Sequence, residues 1–334
     1  MLLNPAILAL VGVSAVLSLM VLAAAGFALQ VLRHWDLASG SARQLRLERR
    51  TYLIATLLTH AFGAGLLGLL LFIYNAERMS TQFVGAMCAT GVLNINAYGW
   101  PTLFLKLAVF FLGAIWLALN RLDSQGYDYP LVRVKYALLL LMVPVVLAEA
   151  LVQLRYFLGL DPEVITSCCG SLFGSAGRGV AAEVAAAPPL PTMVVFYALG
   201  LAAFASGGWF LWRRGGGWLF AALSVAVFVV AMVAVLSFIS IYVYEQPHHH
   251  CPFCLLKAGH DYLGYFLYLP LFAATASGLA TGAALPFAAV PSLRAVVVAE
   301  TRRFTILALI GLALFYLVAS YAVLASHLIL FGPA

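Results

Sequence analysis

Long uninterrupted apolar blocks constrain this chain more than any other feature. Segments of roughly 20 apolar residues recur along it, and one such segment, coiled at 1.5 Å per residue, is long enough to cross a ~30 Å hydrocarbon layer. Flanking charge, proline or glycine delimits eight of them: residues 5–32, 52–74, 101–119, 136–160, 192–212, 218–243, 262–285 and 304–330. A 334-residue chain that is 64% hydrophobic and 9% charged has too little polar surface for a water-soluble domain of that size, which excludes a soluble enzyme. The blocks lack the ~10-residue alternation of outer-membrane strands, which excludes a β-barrel. The expectation is an all-α, polytopic integral membrane bundle of eight transmembrane helices. It forms a single transmembrane domain over 1–334 with no soluble domain. The opening segment has no basic n-region and is read as the first span, not as a cleaved signal.

Orientation follows from the cations. Of the 18 Lys and Arg residues, thirteen fall after spans 1, 3, 5 and 7: Arg33, Arg43, Arg46, Arg49, Arg50, Arg121, Arg133, Lys135, Arg213, Arg214, Arg294, Arg302 and Arg303. The opposite loops hold Arg78, Arg178 and Lys257, with Lys106 and Arg155 inside spans. The positive-inside rule then puts both termini outside the cytoplasm, in a bacterial inner membrane with the other loops facing the periplasm or exterior. Cations spread over four short loops form no dense basic face, so nucleic acid is not an expected partner.

All five cysteines then lie on the extracytoplasmic side, the oxidising one. Cys88 follows span 2, Cys168 and Cys169 follow span 4, and Cys251 and Cys254 follow span 6. The segment Gln246-Pro247-His248-His249-His250-Cys251-Pro252-Phe253-Cys254 carries the sharpest motif. Cys-x-x-Cys on a helix stacks two sulfurs on one face, where a disulfide closes or one ion is gripped. Pro252 suits a first helical position, which would make Cys251 the cap residue at the positive end of the helix dipole, with a readily ionised thiol. That assigns Cys251 as attacking and Cys254 as resolving sulfur. Adjacent Cys168 and Cys169 bridge each other only with strain, so each is expected to meet a sulfur elsewhere, with Cys88 as a third member of a disulfide relay.

A Cys-x-x-Cys at the outer mouth of a helical bundle, with a second cysteine pair on a neighbouring outer loop, resembles in layout the DsbB and vitamin K epoxide reductase groups, which have about half as many spans. The resemblance implies thiol-disulfide redox chemistry and no further residues; exchange of electrons with a membrane quinone is the expectation that accompanies it.

The same region also reads as a metal or haem site. His248, His249, His250, His260 and His327 map to the outer side and, with the cysteines, offer donors suited to Zn, Cu(I) or iron. Covalent haem attachment is excluded because no Cys-x-x-Cys-His occurs. A b-type haem on His260 and His327 is geometrically allowed, whereas His60 and His327 lie at unmatched depths. Within the bilayer, His60 and Glu149 fall near mid-depth and are expected to face the bundle interior, as candidates for holding a quinone or moving protons. Lys106 and Arg155 are expected to snorkel to the outer interface. Gly278 and Gly282 in span 7, and Gly63, Gly65 and Gly68 in span 2, are expected to let helices approach closely.

Three readings remain open: a membrane thiol redox protein with a periplasmic thiol or electron-transfer partner, a non-catalytic subunit of a larger membrane complex that binds metal or haem, and a small-solute or metal-ion transporter. The transporter should show paired broken helices and inverted halves, which the sequence lacks.

Overall fold

The computed structural model describes residues 4–164 and 187–328, and among these the regular structure is entirely helical. The long helices are α1 (Pro5–His34), α2 (Ala42–Met79), α4 (Gly99–Gln125), α5 (Val132–Leu158), α6 (Pro189–Arg213), α7 (Gly217–Ala234), α9 (Leu263–Ala284) and α10 (Arg294–Ala325). Two short helices, α3 (Ala89–Leu93) and α8 (Ser240–Tyr244), lie beside the cysteines. A π-helical turn over Val235–Ile239 joins α7 to α8. Eight segments built on these helices are long and apolar enough to cross a membrane, and each overlaps one of the eight spans expected from sequence. Their exposed faces are also apolar, with Leu19, Leu67, Leu141, Leu201, Leu307 and Leu317 all more than half exposed. A surface of that kind fits an integral membrane protein.

Two helix starts differ from the sequence reading. α2 begins at Ala42 and not at Tyr52, and α10 begins at Arg294 and not at Phe304. Hydropathy stops at the arginines, but the helix does not. In ARQLRLERR, Gln44 and Leu47 are buried at i and i+3 while Arg43, Arg46, Arg49 and Arg50 are exposed, so an amphipathic first section precedes the apolar one. At the far end α10 stops at Ala325, short of the expected Leu330, which lies outside the described residues.

The chain divides into two compact units. Unit 1 comprises Met1–Asn75, Ile95–Asp161 and Ala283–Thr301. In it α1 and α4 both pack on α5 around Val21, Phe27, Phe62, Trp116, Tyr136 and Val146. Asn4 starts α1 by accepting from the Ala6 amide at 3.0 Å, with Pro5 in the first turn. Unit 2 comprises Ala76–Asn94, Pro162–Gly282 and Arg302–Ala334. There α6 packs on α7, and Ala203, Val227, Ala274 and Leu312 close the core between α6, α7, α9 and α10. The expected close approach at Gly278 and Gly282 is present: a Cβ at Gly278 would lie 2.3 Å from Ser224 Oγ, and one at Gly282 would lie 2.8 Å from Ala221 Cβ. The span 2 glycines behave differently. Gly63 has no neighbour that a Cβ would meet within 4 Å and Gly68 only one, at 4.0 Å, whereas a Cβ at Gly65 would lie 3.3 Å from Leu17 Cδ2 of α1; Gly65 and Gly68 also border a small cavity.

Candidate functional site

In unit 2 three cysteine sulfurs converge. Cys88, Cys251 and Cys254 are all buried, and their Sγ atoms lie within 4.8 Å of one another. Cys88 Sγ stands 3.3 Å from Cys251 Sγ, and the Thr90 hydroxyl is 3.2 Å from the same Cys251 sulfur. Among the described residues this is the one group of three or more Cys, His, Asp or Glu donors close enough to share an ion.

Each strand of chain that brings a sulfur here is tied down. Cys88 is an extended residue preceding α3, and the Glu77 carboxylate at the end of α2 accepts from the Ala89 amide at 2.8 Å. That bond fixes the turn carrying Cys88. On the other side, the Tyr244 hydroxyl donates to the Cys251 carbonyl at 2.6 Å, and the Tyr268 hydroxyl donates to the Pro252 carbonyl at 2.7 Å. Lys257 donates to the Met87 carbonyl and stands 3.6 Å from Glu77, which links the two cysteine segments. Buried backbone carbonyls need such donors, and here side chains supply them.

One sequence expectation about this motif is corrected. Cys251 does not cap a helix with Pro252 in its first turn: residues 251–253 form a turn, and only a three-residue 3-10 segment, Cys254–Leu256, follows. Two further residues, Asp261 and Tyr262, take positive φ of 52° and 55° before α9 begins. The chain reverses too sharply for a continuous helix, so no macrodipole acts on Cys251, and its sulfur meets Cys88 and Cys254 by loop geometry.

The histidines are held by other contacts. His250 Nδ1 lies 2.7 Å from the Leu236 carbonyl, in the π-helical turn where a wider backbone ring leaves the carbonyl open to a side-chain donor. His249 stacks on Tyr244 with ring centroids 4.2 Å apart, and its Nε2 is buried without a hydrogen-bond partner among the described residues. His260 packs on the same Tyr244 ring at 4.6 Å. Burial, with His249 and Lys257 nearby, holds the His260 imidazole below its usual 6.5, and Asp261 opposes this. His248 and His327 are exposed, and the His327 amide donates to Glu245 at 2.8 Å. None of the five joins a group of three ligand atoms with the cysteines. Cys168 and Cys169 lie outside the described residues.

Unit 1 holds the second polar centre. Glu149, 2% exposed, pairs with Lys106 Nζ at 2.7 Å and accepts from the Ser14 hydroxyl at 3.3 Å. Gln153 donates to Ser14 Oγ and to the Leu10 carbonyl. Beside them a cavity of about 10 Å³ is lined by Ser14, Gly65, Gly68, Lys106 and Glu149, room for one water. Glu149 therefore faces the interior as expected. Lys106 does not snorkel, because a carboxylate one turn-stack away on α5 satisfies it inside the bundle. His60 corrects the sequence reading: it is exposed on the outside of α2, with Nδ1 2.8 Å from the Thr56 carbonyl of its own helix. A backbone carbonyl four residues back already gives the ring its partner, so nothing draws it inward.

Lys135, read from sequence as a loop cation, is a further correction. It is 2% exposed inside α5, pairing with Asp123 at 2.6 Å and donating to Asn120 at 2.9 Å. Sequence reasoning also missed Glu77, Thr90, Tyr244, Lys257 and Tyr268 around the sulfurs. Lys257 sits three residues beyond Cys254 in an otherwise apolar stretch, and that was the only signal available. Compared with known families, curated proteins and solved structures, the chain shows no match.

Proposed function

We propose that this is an integral membrane protein whose Cys88, Cys251 and Cys254 thiolates hold one soft metal ion, Cu(I) or Zn(II). The observation that carries the reading is three buried sulfurs within 4.8 Å of one another. With metal–sulfur bonds of ~2.3 Å, sulfurs that share an ion lie about 4 Å apart, so the cluster needs little movement to close on one. Thiolates select Cu(I) and Zn over hard cations. A bound copper ion would supply one-electron exchange, and a zinc ion a rigid cross-link. The chain's own part is to exclude water, to hydrogen-bond Cys251 through Thr90, and to tie the two cysteine segments together through Lys257 and Glu77. This role fits a subunit that works beside an electron-transfer partner in a larger membrane complex. The charge asymmetry favours a bacterial inner membrane with the cluster on the periplasmic side.

The 3.3 Å approach of Cys88 to Cys251 favours a second reading, thiol-disulfide exchange. There the two thiols would give two electrons and two protons to a membrane quinone, leaving a disulfide and a quinol. Burial argues against direct attack by Cys251 on a protein partner, since an attacking thiol must be reached.

Metal analysis of the purified protein, produced with copper or zinc supplied, separates the two. The expected result is one ion per chain in the wild type and none in the double variant Cys88→Ser with Cys251→Ser. A metal-free wild type whose Cys88 and Cys251 thiols are oxidised to a disulfide by added quinone, with quinol formed, would replace the metal reading with the redox one.

A further inference from the structure

Unit 1 carries a groove that neither polar centre uses. Ala23, Gly26, Phe27 and Gln30 of α1 and Arg50, Leu53 and Ile54 of α2 line a volume of about 480 Å³. That is within the ~300–1,000 Å³ of sites that hold organic ligands. Its chemistry is graded along the helices. Gln30 and Arg50 lie nearest the connection between α1 and α2, and Ala23 lies about 10 Å further along α1 at 1.5 Å per residue. The polar groups therefore stand at one end and the apolar ones run away from it.

Three observations bear on the occupant. Arg50 has no carboxylate within ion-pair distance among the described residues. The segment from Arg33 to Arg50 holds five arginines against Asp36 and Glu48, so the polar end of the groove sits in a positive field. The floor is apolar and open, with Phe27 buried beneath it and no atom within 4 Å of where a Cβ on Gly26 would lie. A guanidinium pairs with phosphate through parallel N–H bonds, and a trough of Ala, Gly, Phe, Leu and Ile accepts a hydrocarbon chain. Basic pockets between helices at one end of a bundle bind anionic lipid headgroups in this way.

We infer that this groove binds an anionic phospholipid, with the phosphate on Arg50 and Gln30 and one acyl chain over Gly26 and along Leu53 and Ile54. The inference rests on the membrane reading alone and is independent of the chemistry at the cysteines. A free phosphate would gain nothing from the apolar floor, and a zwitterionic lipid would gain less from the surrounding arginines.

The test uses the full chain in neutral detergent, with native mass spectrometry to count retained lipid and thermal unfolding as a second readout. Probes are phosphatidylglycerol, phosphatidylcholine and inorganic phosphate. Variants are Arg50→Gln and Gly26→Leu, with Gly12→Leu as control, since a Cβ at Gly12 also meets nothing within 4 Å but lies outside the groove. Phosphatidylglycerol should be retained and should raise the unfolding temperature of the wild type and of Gly12→Leu. Retention should fall about fivefold in Arg50→Gln, the loss of one basic contact. It should vanish in Gly26→Leu, whose unfolding temperature without lipid should match the wild type. Equal retention of both lipids, or no change in either groove variant, would overturn the proposal in favour of non-specific lipid. Stabilisation by inorganic phosphate alone would overturn it in favour of an ion site, and a dimer lost in Gly26→Leu would assign the groove to a second copy.

Discussion

Unit 1 buries charges, and unit 2 buries sulfurs. Lys106 with Glu149 and Lys135 with Asp123 are ion pairs whose members are all at most 6% exposed, each completed by hydroxyl, amide or backbone partners. A charge taken out of water costs several kcal/mol unless partnered, so these four side chains fix one arrangement of α1, α4 and α5. The cysteines carry no such demand. A neutral thiol is a small hydrophobic group and packs at little cost, so the burial of Cys88, Cys251 and Cys254 says little by itself. Their mutual spacing is informative: packing does not require three sulfurs to meet, and sharing an ion does.

The largest effect that would break this contrast is expected in unit 1. Glu149→Ala leaves Lys106 buried and alone, a loss of about 3–5 kcal/mol typical of half a buried pair. The double variant Lys106→Met with Glu149→Leu should recover most of it. Thermal unfolding in detergent reads both, and equal losses in the single and double variants would show that the pair is not the cause. In unit 2 the comparable lever is steric. Gly278→Leu drives a side chain into Ser224 across the α7–α9 contact and should cost about 1–3 kcal/mol, the range for overpacking. An unchanged unfolding temperature there would mean that the helices do not approach as described.

The smallest effect is a pH dependence. The folded His260 imidazole sits below its ordinary 6.5, so the unfolded chain takes up the proton first. Its neutral form therefore supports the fold in full above pH 6.5, and that support is lost as pH falls through the lower folded value. His260→Gln should flatten this part of the stability profile, and a profile that steepens would reverse the sign.

The fold was legible because apolar blocks bounded by charge state helix number almost directly. Arginine-rich helix starts were not, since hydropathy cannot tell an amphipathic helix from a loop. At the sulfur cluster, chemistry was legible and geometry was not. Cys251, Cys254 and Cys88 could be grouped by the membrane side expected from the charge pattern, yet the turn that carries Cys251 depends on the Tyr244 and Tyr268 hydroxyls, whose carbonyl partners no sequence pattern states. His60 and Lys106 show the same limit within the spans. One faces outward and the other inward because of partners on the same or another helix, which a one-dimensional depth estimate does not contain.

X-ray absorption at the copper or zinc edge tests the sulfur cluster most directly. A shell of sulfur scatterers at ~2.3 Å is expected in the metal-loaded wild type, with one sulfur fewer in Cys88→Ser. A shell of nitrogen and oxygen only, or a sulfur count unchanged in Cys88→Ser, would contradict a site built on these three thiols.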